Sequence, residues 1–554
     1  MAHTDCTQLL HVQDRKVRAI AKAAGVMALT LCIHGGAAAQ TLEDLRISVG
    51  YTNNFSSGYD RSRHTYDADW FRTVVADPPS RQIVANVCPS FATGRIRMDP
   101  LDDGIHCSDE EARLAPEGAS ALVWTVSGPH PHLNKIVELK QERKLLHDYK
   151  ALPGSRCMPL ERKKVVEDDQ CQIKFDAPTP SREVANVAES YSVRFEVVDG
   201  ANQVLASRSQ SVPVPRRVPL IVSVGESLAA GEGNPDMPGD AADAHFDPLN
   251  QHDCEDDTSV MLKFDLKPSM LKQPFWMEPR DHRSLRSGPA LAAKQLLTEW
   301  PYIAFLSFAK SGSVISSPEA DNDILEQLEH VRRVVGNQRI DALHISAGGN
   351  DVGFSDVLKT MAGDFRGSDA EKVLSHFMAK LLKLRDEGYP KIDAKIKELG
   401  LNIGQVLINE YPGSLFNDEN DEPTKGCGVF DTSTFWSVSK RDAVAIRNMG
   451  NLLNAEVKLA ANTHGWHLVD GISEKFAGHG YCSGQSFYRF AAASCDTQGD
   501  FDGTMHPNEE GTAAYARVLA RELRKVLPKP GQGPVHGPGQ GPGQGPVQGI
   551  DTAN

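Results

Sequence analysis

The sequence has little of what marks a membrane or nucleic-acid-binding protein. The 554-residue chain has no run of about 18 or more apolar residues, so no membrane-spanning segment is predicted in the mature protein. Its formal net charge of −14 lacks the basic excess that binding to a phosphate backbone requires. The composition, 40% hydrophobic and 24% charged, is typical of a globular protein, and the length predicts two folded units.

The first 39 residues have the pattern of an export signal. A basic region precedes a short apolar run at 23–33, and small residues at Ala37-Ala38-Ala39 precede Gln40. The apolar run is too short for a membrane anchor. We therefore predict a cleaved signal peptide at 1–39 and a secreted or periplasmic protein.

The cysteines lack zinc-site spacing. No C-x-x-C pair occurs, which disfavours a structural zinc site, and we expect neither metal nor cofactor. Loss of the leader would leave eight of the ten cysteines, an even number that predicts disulfides in an oxidising compartment. We predict two bridges within 41–214 and two within 219–527. Sequence-local pairings would be Cys88–Cys107, Cys157–Cys171 and Cys482–Cys495.

The N-terminal half, residues 40–214, carries alternating apolar and polar runs. The clearest strands lie at 121–128 and 191–214, and Asp199-Gly200 divides the second into a hairpin. This pattern predicts an all-β accessory domain, a sandwich of immunoglobulin-like type. The proline-marked stretch 213–219 is then interpreted as a stiff linker.

From residue 219 the pattern becomes one of apolar strands separated by helices. Strands are predicted at 219–225, 302–309, 340–348, 403–411 and 466–470. Helices are predicted at 287–300, 323–336, 369–388 and 512–527. This alternation is typical of an α/β fold, a parallel sheet with helices on both faces, over 219–527. The Gly/Pro/Gln-rich stretch 528–554 is predicted to be a flexible tail.

Four short motifs fall at the ends of predicted strands or in a loop near them. They are VGESLAAGEG with Ser227, AKSGS with Gly312, SAGGNDVGF with Asn350, and DGTMHPNEEG with His506. Each motif has an ordinary structural explanation when it is taken alone. These are, in the same order, a turn serine, a turn glycine, a helix cap and a surface histidine. Ligands of such sheets bind at the carboxyl ends of the strands, so the four together predict one cleft.

These blocks, in this order, resemble those of the SGNH (GDSL) hydrolases, a family of esterases and lipases. The resemblance covers roughly 219–527 and is strongest to secreted bacterial lipases and phospholipases. It implies a flavodoxin-like three-layer α/β/α domain. The chain contains no G-x-S-x-G, the motif of the unrelated α/β-hydrolases.

The resemblance implies a role for each block. Ser227 would be the nucleophile and His506 the base that takes its proton. The oxyanion hole would consist of the backbone N–H groups of Ser227 and Gly312 and the side-chain amide of Asn350. The substrate would be a small-molecule or lipid ester, and the mechanism requires no metal.

Two positions depart from the family pattern. Glu226 stands where the family usually has Asp. The family's third catalytic residue usually lies three places before the histidine, where this chain has Gly503, and Asp502 lies one place away. Two candidates to orient His506 follow: the Asp502 carboxylate, or a backbone carbonyl near 503–504.

Two other hypotheses about the function stay open. One is a polysaccharide deacetylase of the same fold, with the β-domain binding a carbohydrate or surface ligand. The other is a non-catalytic binding or adhesion protein on a degenerate hydrolase fold, against which the four intact blocks argue. A metal site at His130 and His132 is disfavoured because no ligand lies at suitable spacing, and His479 ranks below His506 as a base.

Overall fold

The computed structural model describes most of the C-terminal half and parts of the N-terminal half. The described residues are 48–51, 58–76, 80–86, 97–98, 105–106, 119–129, 136–145, 172–179, 189–214, 218–241, 270–300, 302–316, 323–355, 357–358, 370–423 and 438–529. The predicted signal peptide, nearly all of the predicted tail, His130, His132 and six of the eight predicted disulfide cysteines lie outside these ranges. Cys482 and Cys495 are each disulfide-bonded, and their pairing with one another stays a prediction.

The N-terminal strands form antiparallel sheets. One sheet has the order β1-β4-β9 and a second has the order β11-β10-β7-β8. Their bounds are β1 Ser48–Tyr51, β4 Ser80–Asn86, β7 Ala119–Pro129, β8 Ile136–Leu145, β9 Gln172–Pro178, β10 Glu189–Asp199 and β11 Val204–Val214. Four two-residue strands form two further pairs: β2 Tyr59–Asp60 with β3 Thr65–Tyr66, and β5 Arg97–Met98 with β6 Ile105–His106.

The alternation seen in the sequence follows from burial on one face of each strand. Trp124 on β7 and Phe195 on β10 are buried with ring centroids 4.8 Å apart, and Ile173 on β9 belongs to the same hydrophobic cluster. The predicted hairpin is present, since β10 ends at Asp199 and pairs with β11. The described part of the N-terminal half thus contains two antiparallel sheets, and their arrangement as an immunoglobulin-like sandwich stays a prediction.

The C-terminal half is built on a five-stranded parallel sheet of order β15-β12-β16-β17-β18. In chain order this is 2-1-3-4-5, the arrangement of flavodoxin-like folds. The strands are β12 Leu220–Gly225, β15 Ala304–Ser307, β16 Ile340–Ser346, β17 Ile403–Asn409 and β18 His467–Val469; β13 Asp240–Ala241 pairs with β14 Met270–Lys272 outside the sheet. All five predicted strands are therefore confirmed.

Helices cover this sheet. They are α2 Ser227–Ala230, α3 Gly288–Gln295, α4 Ile324–Val335, α5 Ala370–Lys383, α6 Tyr389–Glu398, α7 Lys440–His464, α8 Ile472–Phe476, α9 Ala491–Gln498 and α10 Glu509–Val526, with α1 Ala68–Trp70 in the N-terminal half. The C-terminal α10 packs against α3, whereas α6 contacts both α4 and α7. None of the helices within the described ranges is long and apolar enough to cross a membrane.

An N-terminal segment packs against the α/β domain beside the loop that follows β14. The Tyr59 hydroxyl and Nδ1 of His64 each lie 2.7 Å from Oε2 of Glu278, which is fully buried. The Tyr66 hydroxyl accepts a hydrogen bond from the backbone N–H of Ser307 at 3.1 Å. The segment 58–76 therefore helps to hold the loop at 276–283, whose other side faces the functional site.

Candidate active site

Ser227 lies where the first strand of the parallel sheet ends. Every residue of β12 is buried, so the strand runs through the core. Ser227 lies just past the carboxyl end of this strand. Glu226 caps the short helix α2, its carboxylate accepting from the backbone N–H of Leu228 at 2.9 Å. Gly231, in the left-handed conformation, ends that helix after one turn.

His506 meets Ser227 directly. Its Nε2 lies 2.8 Å from the Ser227 Oγ, although 279 residues separate the two in the chain. The backbone of the histidine loop is fixed by Arg489, which accepts from Met505 N–H at 2.9 Å and donates to the His506 carbonyl at 2.7 Å. Helix α10 then begins, with Asn508 as its N-cap residue. The serine and histidine blocks therefore meet in the structure.

The second ring nitrogen of His506, Nδ1, differs from Nε2 in its hydrogen bonding. Nδ1 is buried and has no hydrogen-bond partner within the described part of the chain. The structure therefore joins it neither to Asp502, whose side chain is exposed, nor to a carbonyl near 503–504. The Gly503 carbonyl instead accepts from the backbone N–H of His506 at 3.0 Å, which turns it into the loop and away from the ring.

Packing explains why the family's usual acid position is a glycine here. A Cβ on Gly503 would lie 2.8 Å from Oε1 of Gln498, 2.8 Å from Oγ of Ser494 and 2.9 Å from Cα of Gly233. Real Cβ contacts of that length essentially never occur, so no side chain fits at position 503 without movement of its neighbours.

The Gly312 turn lies beside the end of β12. Lys310 N–H donates to the Gly225 carbonyl at 3.0 Å, which continues the pairing of β15 with β12 past the strand ends. Gly312 has a φ of +76°, a conformation that favours glycine. The backbone N–H groups of Ser227 and Gly312 have no protein acceptor among the described residues. Both are thus available to bind an oxyanion, as the resemblance implies.

Asn350 is tied to the same turn. Its Nδ2 donates to the Ser313 carbonyl at 2.9 Å. The next residue, Asp351, accepts from Ile315 N–H at 2.9 Å, and burial raises the pKa of its carboxyl to about 6. The serine, glycine, asparagine and histidine blocks therefore meet at one edge of the sheet.

Glu226 connects more of the site than its position suggested. One carboxylate oxygen accepts from the Ser227 hydroxyl at 3.0 Å, and the other accepts from Ser346 and from Tyr411, the latter at 3.3 Å. The Tyr411 hydroxyl also accepts from Gly349 N–H at 2.9 Å, so the network reaches the asparagine block. The longer side chain of glutamate fits in place of the family's aspartate because these donors surround it.

The sequence did not identify Gln327 as a site residue. It is fully buried on α4, accepts from Gly225 N–H at 2.7 Å and donates to the Gly225 carbonyl at 2.9 Å. The same amide lies 3.0 Å from the Ser313 hydroxyl, so it joins the end of β12 to the Gly312 turn. The sequence did contain a signal for Gln327. It is a glutamine on an otherwise apolar helix face, in the stretch DILEQLEHV.

One group of side chains has the composition of a metal site. The possible ligand atoms of Glu232, His282 and Asp500 all lie within 4.8 Å of one another. The rival base His479 lies elsewhere, with Nδ1 2.7 Å from the Gln485 carbonyl and its ring stacked on Phe487 at 3.8 Å. Only His506 contacts Ser227 among the histidines that the structure describes.

Comparisons with known proteins give the chain ester-hydrolase relatives. No family model matches it. It is 28% identical to a lipase from Streptomyces rimosus over 208 residues, which are 36% of this chain and 64% of the lipase, so the chain spans just under two thirds of that relative.

Three solved structures are similar over 55% of this chain. The extracellular lipase from Streptomyces rimosus matches over 100% of its length at 20% identity, with a TM-score of 0.35. Phospholipase A1 from Streptomyces albidoflavus matches over 99% at 18% identity and a TM-score of 0.36. An acetylxylan esterase from Geobacillus stearothermophilus matches over 94% at 14% identity and a TM-score of 0.26. The chain is thus similar in sequence to a lipase. Its fold follows from its own strand order.

Proposed function

We propose that the chain is an exported serine ester hydrolase of the SGNH type that acts on lipid or small-molecule esters. The observation that carries this proposal is the 2.8 Å contact between Ser227 Oγ and His506 Nε2 at the carboxyl edge of the sheet. Similarity to a lipase supports the ester as substrate, and the signal pattern at 1–39 supports export.

The proposed chemistry begins with proton transfer. As the Ser227 oxygen attacks the ester carbonyl, its proton passes to Nε2 of His506, and the carbonyl oxygen becomes an oxyanion. The Ser227 and Gly312 N–H groups and the Asn350 amide stabilise that oxyanion. Collapse expels the alcohol, which takes the proton from His506 and leaves an acyl-serine. Water, deprotonated by His506, then releases the acid.

Glu226 has a second role in this scheme. Its carboxylate accepts from the same Ser227 hydroxyl that must give its proton to His506. The single hydroxyl proton therefore has two alternative acceptors, the Glu226 carboxylate and Nε2 of His506. Attack requires the hydrogen bond to His506, because only the imidazole can later return the proton to the leaving alcohol.

A fluorophosphonate probe tests the nucleophile. Wild-type protein should become labelled at Ser227, and Ser227→Ala should stay unlabelled. Ser192→Ala, which removes a half-buried serine of β10, should label like the wild type. If folded wild-type protein takes up no label, the result would instead favour the hypothesis of a non-catalytic binding protein.

A substrate panel tests the class of ester. p-Nitrophenyl esters of rising chain length, phosphatidylcholine and acetylated xylan should be compared at equal active-site concentration. We expect hydrolysis of the acyl and phospholipid esters to exceed release of acetate from xylan. The reverse order would favour the polysaccharide deacetylase, with the N-terminal domain as its carbohydrate-binding unit.

A further inference from the structure

A buried polar cluster lies next to the proposed site and has no part in the scheme above. We define the Glu232 cluster as Glu232, His282, Ser311, Gln498 and Asp500. Glu232 is its centre, with a fully buried side chain. Burying an ionised carboxylate costs free energy unless several donors form hydrogen bonds with it. The donors around Glu232 therefore identify the segments that this side chain connects.

Three separate segments donate to the Glu232 carboxylate. His282 places Nδ1 2.8 Å from both oxygens, the Ser311 hydroxyl donates at 2.5 Å, and Nε2 of Gln498 donates at 2.7 Å. Ser311 directly precedes Gly312, and its backbone N–H is bound by the Asp281 carbonyl at 2.9 Å. The orientation of the proposed oxyanion donor therefore depends on Glu232 and on the segment that carries His282.

The same carboxylate reaches the histidine loop from the opposite side. Gln498 accepts from Gly233 N–H at 2.9 Å and packs against Gly503, three residues before His506. Asn234, two residues after Glu232, donates to the Pro507 carbonyl at 2.7 Å. The turn after α2 thus fixes the loop on both sides of the proposed base.

The charges of the cluster favour an ion pair over a metal site. Burial opposes ionisation of Glu232, but attraction to and a hydrogen bond from His282, together with attraction to His506, lower its pKa to about 2. Burial likewise opposes protonation of His282, but Glu232, Asp500 and Asp502 raise its pKa to about 9. At neutral pH His282 supplies the positive charge that a cation would otherwise bring.

From these contacts we propose that Glu232 is a positioning residue for ester hydrolysis, held in place by His282. It fixes the Gly312 turn through Ser311 and the His506 loop through Gln498. It also provides a buried negative charge near the imidazolium that forms on His506, whose Nδ1 has no carboxylate partner among the described residues. The inference rests on the proposed function and adds to it the group that supports both halves of the site.

The surroundings of His282 define what a pH profile would report. Glu232, Asp500 and Asp502 face it from the turn after α2 and from the loop after α9. On its own segment, Arg283 is paired with Asp281 and Arg280 with Glu278. The Trp276 ring stacks on it with centroids 4.9 Å apart. Loss of the His282 proton is therefore the event that leaves Glu232 without its charge partner.

Glu232→Gln tests the proposal, because glutamine keeps the size and one acceptor but not the charge. We expect kcat to fall about 10- to 100-fold, as displacement of a catalytic group by about 1 Å does, with KM changed less than about threefold. Glu522→Gln is the matched control. It removes another buried carboxylate that binds a histidine, His467 at 2.7 Å, away from the site, and should keep the wild-type kcat.

A second pair of variants separates position from charge. Wild-type kcat should decline along an alkaline limb near the pKa of His282, about 9. His282→Gln, which cannot titrate, should lack that limb. Ser311→Ala loses one hydroxyl and no charge, so it should lower kcat but keep the limb. Thermal unfolding of each variant shows whether it is folded at the assay temperature.

The outcomes are distinguishable. A wild type that hydrolyses esters through Ser227, with folded Glu232→Gln of equal kcat and the same alkaline limb, overturns the positioning role alone. A wild type without ester hydrolysis overturns both this role and the proposed function. Loss of activity in EDTA that returns with a divalent ion would show a metal site in place of the ion pair.

Discussion

Two histidines of the α/β domain, His344 and His506, differ in how the hydrogen-bonding capacity of their rings is satisfied. His344 is fully buried on β16. Its Nδ1 lies 3.0 Å from the Ser223 hydroxyl, and its Nε2 lies 3.0 Å from Oδ1 of Asn409 and 2.9 Å from the Tyr515 hydroxyl. His506 has the Ser227 hydroxyl on one nitrogen and no partner on the other within the described residues.

The difference teaches which polar groups hold the fold together and which are held ready for chemistry. A polar network with every member bonded is rigid and stabilises one arrangement of the core. A buried nitrogen without a partner costs free energy, and such groups in native proteins call for an explanation such as a catalytic role. We therefore assign His344 to stability and His506 to the reaction, and the three variants below test that division.

The largest effect is expected for His506→Gln. Without the base, the Ser227 proton has no acceptor that can return it, so kcat should fall on the order of 10⁴- to 10⁶-fold. The free energy of unfolding should change by less than about 1 kcal/mol, since the ring leaves one buried nitrogen unbonded in any case. Ester turnover and urea unfolding measure the two quantities. Turnover within tenfold of wild type would remove His506 from the mechanism.

The sequence predicted the parts of the site that local patterns encode. Strands such as β12 are continuous apolar runs, and Ser227, Gly312 and Asn350 follow strand ends, so their meeting could be inferred from the rule for parallel sheets. The Glu232 cluster could not be inferred, because its five members come from four separated segments and only the tertiary fold joins them.

The helices show where a local signal was overlooked. The prediction for the last helix began three residues late, because the cap at Asn508 was not recognised in HPNEEG. The 25-residue helix α7 was not predicted, although its buried side chains recur with helical spacing: Ala443, Ile446, Met449, Leu453, Val457, Ala460 and Ala461.

An intermediate effect, on stability, is expected for His344→Gln. Burial lowers the pKa of His344 to about 4, below its ordinary 6.5, so the unfolded chain binds the proton more readily. The contribution of this residue is therefore complete above pH 6.5 and is lost as the pH falls toward 4, by about 3 kcal/mol in total.

The measurement for His344 is the unfolding free energy in urea between pH 8 and pH 4. At pH 8 the variant should be less stable than wild type by about 1–3 kcal/mol because hydrogen bonds in the core are lost. The gap should narrow as the pH falls, since only the wild type carries the titrating ring. A gap that stays constant over this range would show that His344 does not titrate as its burial requires. The kcat of the folded variant should match that of wild type.

The smallest effect is expected for Asp502→Asn, which decides what supports His506. The Asp502 side chain is exposed, and Nδ1 of His506, which it would have to bind, has no partner among the described residues. The geometry therefore does not support a direct triad role for Asp502. Its charge helps to raise the pKa of His282. We expect kcat to fall less than about tenfold, whereas a loss approaching ~10⁴ would make Asp502 a full triad member. Asp470→Asn, an exposed carboxylate beside Arg521, is the matched control and should leave kcat unchanged. A small loss for Asp502 together with the larger loss expected for Glu232→Gln would place the negative charge that supports His506 in the buried cluster and not in its own loop.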